Sequence, residues 1–353
     1  MAYTTIAKPS VHFDVPTWAG SSSTTTVSGM GFKPDAIWLK RYDGTGHPRF
    51  NNSTQGINVN WVPSGQNAND STAYIASYTS DGFTLTGGGT DANENGEKYM
   101  AACFKANGGT TSSNSDGSIT STVQANTAGG VSIVQYTGTG SNATVGHGLG
   151  AAPKVIITKP KTLSDFGAFG LGSTIYVSDP WTDYIEIANN SGTITDNVVF
   201  WNDTAPTTSV YSVGTFDHVN KASTEIIAYC FAEKKGFSKF GFYKGNGNAS
   251  GPQIFCGFKP KLVFLKKTES TENWIFKTTA VDEGQLAGTG EMKRTMKIND
   301  NSSNTNCTIN ANATGFRPTT TDGKANGDDA IYLYMAFAEM PIVGTNGTVG
   351  LAI

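Results

Sequence analysis

Few residues in this chain have types and spacings that could do chemistry. His147 stands in Gly146-His147-Gly148-Leu149-Gly150, where flanking glycines would leave an imidazole open for proton transfer. Neither it nor His12, His47 or His218 has a Gly-x-Ser-x-Gly elbow, a Walker loop or a His-Glu-x-x-His nearby, so His147 reads as a turn residue. Asp165, Asp183, Glu186, Asp217 and Glu225 could supply the carboxylate pair that hydrolyses a glycoside. Asp91-Ala92-Asn93-Glu94-Asn95-Gly96 opens like a calcium loop, with oxygen side chains Asp91, Asn93 and Asn95 at alternate positions and glycine at the sharp turn. The twelfth position is Ala102 instead of the bidentate glutamate, so a polar hairpin loop is the better reading and neither metal nor cofactor is expected. Trp18, Trp61, Trp181, Trp201 and Trp274 are possible platforms for stacking sugar rings, with Trp61, Trp181 and Trp201 the chosen candidates; Trp38 lies in an apolar run and reads as core.

The elements that must position these residues are short. Only 15% of the 353 residues are charged, below the roughly 25% of an ordinary soluble domain. Glycine supplies 42 positions, and Ser, Thr and Asn crowd the rest, a composition of many strands joined by turns. No amphipathic helix of three turns can be written, because Gly, Asn, Ser and Thr interrupt every candidate. A net charge of −3 and the lack of any cluster of five basic residues argue against a nucleic-acid partner. No apolar run is long enough to span a bilayer, and Met1 to Thr5 lack a signal-peptide layout, so a soluble protein made in a cytoplasm is expected. Of the four cysteines, Cys103 and Cys230 lie inside apolar runs and read as buried free thiols.

Self-similarity organises the chain. A glycine turn leads through proline into an apolar run three times: Gly31 to Pro34 then Ala36 to Lys40, Gly150 to Pro153 then Val155 to Lys159, and Gly257 to Pro260 then Leu262 to Lys266. An aromatic follows each proline by sixteen residues, at Phe50, Phe169 and Phe276. Each copy closes on an apolar run containing Phe104, Phe231 or Phe337. A tyrosine precedes the second and third prolines by seventeen residues, at Tyr136 and Tyr243, where the first copy has Thr17. The runs are short, β-branched and aromatic, and nearly continuous in apolarity, which predicts strands covered on both faces. The chain therefore reads as all-β, with three diverged copies of a β-sandwich, jelly-roll-like module in tandem. The boundaries are an arm at 1–10, copy one at 11–105, a Gly/Ser/Thr linker at 106–128 with a bridging strand near Ile119 to Val123, copy two at 129–235, copy three at 236–341 and a tail at 342–353. The polar linker predicts that copy one stands apart, whereas Lys234-Lys235-Gly236 predicts a rigid junction between copies two and three.

Several strings in combination resemble a repeat family of bacteriophage virion proteins: Gly-x-x-Pro before a strand ending in Lys, Gly117-Ser118-Ile119-Thr120-Ser121-Thr122-Val123, Tyr136-Thr137-Gly138-Thr139-Gly140 and Ala228-Tyr229-Cys230-Phe231-Ala232-Glu233. That family is common in phages of marine bacteria and cyanobacteria. The resemblance covers almost the whole chain and implies a tail-fibre-like or capsid-surface, lectin-like β-sandwich protein, with no catalytic residues to carry over. The expected function is that of a non-enzymatic virion structural protein, either a capsid decoration or a tail-associated part. Its expected partners are other virion proteins, within a homo-oligomer such as a trimer. A receptor-binding protein for host glycans is the alternative, and a depolymerase the third reading. Three tandem copies could also mimic a trimer around a pseudo-threefold axis.

Overall fold

The structure is a computed structural model that describes residue 4 and residues 6–64, 71–162, 167–173, 175–176, 179–187, 194–281, 290–302 and 305–341; the tail at 342–353 lies outside them, as does Asp165. Copy one holds β1 (Phe13–Asp14), β2 (Thr17–Ala19), β3 (Thr25–Val27), β4 (Ala36–Arg41), β5 (Arg49–Asn52), β6 (Gly56–Trp61), β7 (Ile75–Thr79), β8 (Gly82–Leu85) and β9 (Lys98–Phe104). Then come β10 (Ser112–Asn114) and β11 (Ser121–Asn126). Copy two holds β12 (Val131–Thr137), β13 (Ala143–Gly146), β14 (Val155–Pro160), β15 (Ala168–Leu171), β16 (Asp183–Glu186), β17 (Thr195–Asp196), β18 (Val210–Val213), the one-turn helix α1 (Asp217–Asn220) and β19 (Glu225–Phe231). Copy three holds β20 (Ser238–Lys244), β21 (Ile254–Phe255), β22 (Phe258–Lys267), β23 (Ile275–Thr278), β24 (Glu291–Lys297), β25 (Thr305–Asn312), β26 (Gly315–Pro318), α2 (Gly323–Asn326) and β27 (Ile331–Pro341).

All strand pairing within the named strands is antiparallel, and one order recurs. The closing strand lies between the first strand and the post-proline strand, which pairs in turn with the next: β2-β9-β4-β5, β12-β19-β14-β15 and β20-β27-β22-β23. Register recurs with it. The first residue of each post-proline run faces the closing phenylalanine, as Ala36 with Phe104, Val155 with Phe231 and Leu262 with Phe337. The third residue faces the downstream phenylalanine, as Trp38 with Phe50, Ile157 with Phe169 and Phe264 with Phe276. A second layer in each copy is built on β3-β8, β13-β18 or β21-β26. Gly31, Gly150 and Gly257 all sit at positive φ, 74°, 65° and 82°, a turn conformation that favours glycine. Pro34 and Pro153 precede their strands as expected; Pro260 lies inside β22, where a shift of register on either side of it spares the ladder.

Both faces of each central sheet are covered, as the apolar runs predicted. Alternate residues face opposite ways. Ile37, Leu39, Tyr99, Ala101 and Cys103 of copy one pack under their own second layer, while Ala36, Trp38, Met100, Ala102 and Phe104 enter a core shared by all three copies. Copy two divides alike, with Ile156, Ala228 and Cys230 in its own core and Val155, Ile157, Tyr229 and Phe231 in the shared one. At the centre the three closing phenylalanines form a triangle. Phe104 and Phe231 lie 5.5 Å apart, Phe104 and Phe337 5.0 Å, and Phe231 and Phe337 5.9 Å, with ring planes 69°, 68° and 61° apart. Near-equal sides and angles between equivalent residues mark a pseudo-threefold axis. Copy one therefore does not stand apart: Trp38 packs on Tyr229, Phe231, Phe264 and Phe276.

Segment 106–128 is likewise no free linker. The N–H groups of Ala106 and Gly108 donate to the buried Asp35 carboxylate at 2.7 and 2.8 Å, Gly109 N–H donates to Gln124 Oε1 at 2.9 Å, and β11 joins the sheet of copy two beside β12. Its polar composition cannot order itself, but these partners satisfy its backbone.

A second recurrence escaped the sequence reading. Asn93, Asn220 and Asn326 are all fully buried. The Nδ2 group of Asn93 donates to the carbonyls of Ser23 and Thr86 at 2.5 and 2.9 Å. Asn220 Nδ2 donates to those of Ser141 and Gly214 at 2.6 and 2.7 Å, and Asn326 Nδ2 to those of Asn248 and Thr320 at 2.6 and 2.8 Å. Each Oδ1 accepts one backbone N–H, from Ser21, Thr139 and Asn246 at 3.0, 2.8 and 3.0 Å. The carbonyl before each asparagine takes a bond from an aromatic on the first strand: Trp18 Nε1 to Ala92, Tyr136 Oη to Val219 and Tyr243 Oη to Ala325. Trp18, not Thr17, thus fills the tyrosine position in copy one, as its pairing with Tyr99 confirms. The carbonyl after each asparagine presses on a glycine, Gly20, Gly138 or Gly245, where a Cβ would lie 2.1, 2.2 or 2.3 Å from it. Asn220→Ala is expected to strand two buried carbonyls and one N–H and to cost roughly 3 kcal/mol in urea unfolding; Asn326→Ala should cost about the same, because its partners are equivalent.

Candidate functional site

The tryptophans expected to stack on sugars are interior. Trp61, Trp181 and Trp201 are 2%, 7% and 0% exposed. Trp61 packs edge-on to Phe50 at 5.3 Å. Trp181 and Trp201 meet edge to face at 6.0 Å, over Gly170 and Gly172, where any Cβ would lie 2.8 Å from an indole. Trp201 Nε1 donates to the Asp183 carbonyl at 3.2 Å. Trp274 is buried too, donating to the Glu186 carbonyl at 2.9 Å. Large aromatics bury so much apolar area that they are drawn inward, Trp181 and Trp201 into the core of copy two and Trp61 and Trp274 into the shared core. The expectation of a glycan platform on these residues is withdrawn.

The calcium-loop reading fails on its ligands. Asp91 is buried and engaged by Arg49, with Nε at 3.0 Å and Nη2 at 2.5 Å, and by His47 N–H at 2.7 Å. Asn93 spends its side chain on the backbone, and Asn95 is exposed. Asp91 and Asn93 are thus spent on protein partners, and among the described residues no group of three or more His, Cys, Asp or Glu is placed to hold a metal. His147 is fully buried; its Nδ1 accepts Leu149 N–H and its Nε2 faces the Thr207 carbonyl, each at 3.2 Å, and burial pushes its pKa down.

The carboxylates of copy two serve separate places. Asp217 pairs with Lys221 at 3.1 Å, Glu225 with Lys161 at 2.8 Å, and Glu186 lies 3.8 Å from His218 Nδ1. Asp183 lines a crevice between copies two and three with Phe169, Leu171, Tyr184, Phe242 and Leu333, and burial, with Asp196 and Asp179 nearby, pushes it up to about 6. That crevice has a volume of about 20 Å³, room for roughly one water molecule.

The lysine ending each post-proline run is also structural. Lys40, Lys159 and Lys266 are fully buried. Lys40 Nζ donates to the Gly46 carbonyl at 2.6 Å, and Lys266 Nζ to the Glu272 carbonyl, in both cases six residues on, so each closes the loop that follows its own strand. Burial holds both ammonium groups down to about 8.

A larger opening lies elsewhere at the junction of copies two and three. A groove of about 520 Å³ is lined by Glu233, Lys235, Ser238, Lys239, Phe255 and Cys256. Phe255 is 70% exposed. Glu233 sits between Lys154 at 3.4 Å and Lys239 at 3.3 Å, and its other carboxylate contact is Phe240 N–H at 2.7 Å. Lys234, Lys235 and Gly236 were legible in sequence as a junction, but Glu233, Lys235 and Lys239 were not legible as the wall of a groove. The signal available was Phe255 itself, an apolar residue where copy two has Gly148.

Two measurements test these assignments. Trp201→Ala is expected to destabilise copy two by about 3–5 kcal/mol, the cost of emptying an aromatic site in a core. A lysine lowered to about 8 in the fold and near 10.4 when unfolded lets the unfolded chain hold more protons between those values, so its contribution to stability rises with pH across that window and is flat below it. The stability difference between wild type and Lys266→Met should therefore shift toward wild type by about 1 kcal/mol from pH 8 to pH 9, read from urea midpoints.

No curated protein matches the chain. One family model runs through all three copies as a single unit, over residues 8–341. With the threefold core and its latches in one continuous match, the chain belongs to the family described as Domain of unknown function (DUF7483).

Proposed function

We propose that this protein is a structural component of a bacteriophage particle, exposed on its surface as a capsid decoration or tail-associated part and acting through protein–protein contacts. The observation that carries this reading is the fused threefold core. Three copies spend their best apolar surface on one another around Phe104, Phe231 and Phe337. This is the construction of a rigid block, slow to unfold, rather than of a cleft that closes on a substrate. The polar, Ser-, Thr-, Asn- and Gly-rich outer loops suit a densely repeated surface component, and the resemblance of the repeat strings to virion proteins points the same way. An internal threefold also lets one chain occupy a position of threefold symmetry that a homotrimer would otherwise fill.

Mass spectrometry of gradient-purified particles of a phage encoding this chain is expected to find it at a copy number comparable to other coat or tail proteins. Its absence from particles, with abundant protein in the infected cell, would end the proposal.

A further inference from the structure

Copies two and three differ in what covers their free sheet edges. In copy two, the segment before the module fills the slot between β12 and β13. Its β11 pairs with β12 from Thr122 with Gln135 to Asn126 with Val131. Ile119 bridges Val145 of β13, with its N–H on the Thr144 carbonyl at 3.0 Å, and Ser121 Oγ donates to the Gly146 carbonyl at 2.7 Å. One strand thus joins the two layers of that module.

The equivalent slot in copy three lies between β20 and β21, the two ends of its eight-stranded sheet; among the described strands each has one hydrogen-bonded neighbour. Copies two and three are joined by Lys234-Lys235-Gly236, so no segment lies between them to supply a strand. The groove lined by Ser238 and Lys239 of β20 and Phe255 of β21 opens there. With Gly150 aligned on Gly257, Phe255 corresponds to Gly148. A Cβ at Gly148 would lie 3.3 Å from Ala125 Cβ and 3.4 Å from Val123 Cγ2, so β11 passes directly over that position in copy two. Copy three instead presents an exposed phenyl ring.

Glu233 marks the same vacancy chemically. Phe240 corresponds to Ile133, which pairs with Gln124 of β11. In copy three the Phe240 N–H is held by the Glu233 carboxylate, where a neighbouring strand's carbonyl would stand. An edge so capped resists random pairing but stays open to a strand that can replace the cap.

We propose that this slot receives, in trans, an extended segment of a partner protein that carries an acidic side chain. The segment pairs with β20, its backbone carbonyl takes the Phe240 N–H, its carboxylate replaces Glu233 between Lys154 and Lys239, and an apolar side chain covers Phe255. Four lysines, Lys154, Lys234, Lys235 and Lys239, stand at this junction with Glu233 in a chain of net charge −3, which favours an acidic occupant. The inference rests on the assembly role only for the partner's setting; strand capture and particle location are tested separately and can fail separately.

The test titrates the full chain with a labelled peptide of residues 116–126 carrying Gln124→Glu, the strand that fills the slot of copy two with an acidic side chain placed opposite Phe240 in the same register. Saturable binding is expected, weakened roughly tenfold by Phe255→Gly, with slower hydrogen exchange at the amides of Phe240 and Phe242. No saturable binding, or binding indifferent to Phe255→Gly, overturns the proposal. So does slow exchange of these amides without peptide that becomes fast on deleting residues 342–353, which would make the chain's own tail the occupant, or on dilution, which would make it a second copy.

Discussion

The constraint on which the fold depends is that each central sheet must bury both of its faces. A strand such as Ala36–Arg41, nearly all buried, cannot rest on its own second layer alone, because that layer covers only Ile37 and Leu39 and leaves Ala36 and Trp38 bare. Fully burying a Trp or Phe is worth about 2–3 kcal/mol, so three sheets each presenting such a face have strong reason to meet. They meet at the phenylalanine triangle, where edge-to-face contacts add about 0.5–1.5 kcal/mol per pair. A single copy excised from the chain would expose that face, so the unit of folding is the threefold assembly. The family match spanning all three copies agrees with this.

Burial of the sheets on both faces pushes the loops to the ends of the modules, where backbone groups need partners. The buried asparagines answer that need with one side chain each. Every one ties the turn after the first strand to the chain entering the closing strand, and so holds the second layer against the first. An asparagine can donate twice and accept at the same time, which Ser, Thr or Asp in the same place cannot match. The buried lysines do similar work at the other loop, at the cost of an ammonium taken from water.

Much of this architecture was legible in residue spacing. Glycine turns, prolines and phenylalanines at constant offsets gave the strands, their order of burial and the three copies, because those residues answer to backbone geometry and to the core, which divergence preserves. The latches were legible only as a spacing without a role. Asn93, Asn220 and Asn326 each stand eleven residues before the closing Phe104, Phe231 or Phe337, but they sit among many other Asn residues, their distances from the prolines vary, and nothing in residue type shows that the side chain is buried on backbone partners. Trp61, Trp181 and Trp201 misled because residue type alone does not separate a stacking platform from a core filler; the glycines that make room for Trp181 and Trp201 are two residues apart, on and beside β15, a pattern that invites notice only once the indoles are known to be inside. The polar segment 106–128 misled for a related reason, since its order comes from Asp35 and β12, partners distant in sequence.

The copies are therefore equal at the axis and unequal at the rim. Fusing three modules into one chain is what permits this: a homotrimer repeats every rim feature three times, whereas a fused chain can fill one strand slot from its own linker, shorten the next linker to three residues, and leave the following slot with Phe255 and Glu233 on its walls. A threefold core gives rigidity. Copies two and three show the difference directly, since the edge that β11 covers in one carries Phe255 and Glu233 in the other. The divergence that makes the repeat hard to see in sequence is on this view what sets one binding edge apart from the others.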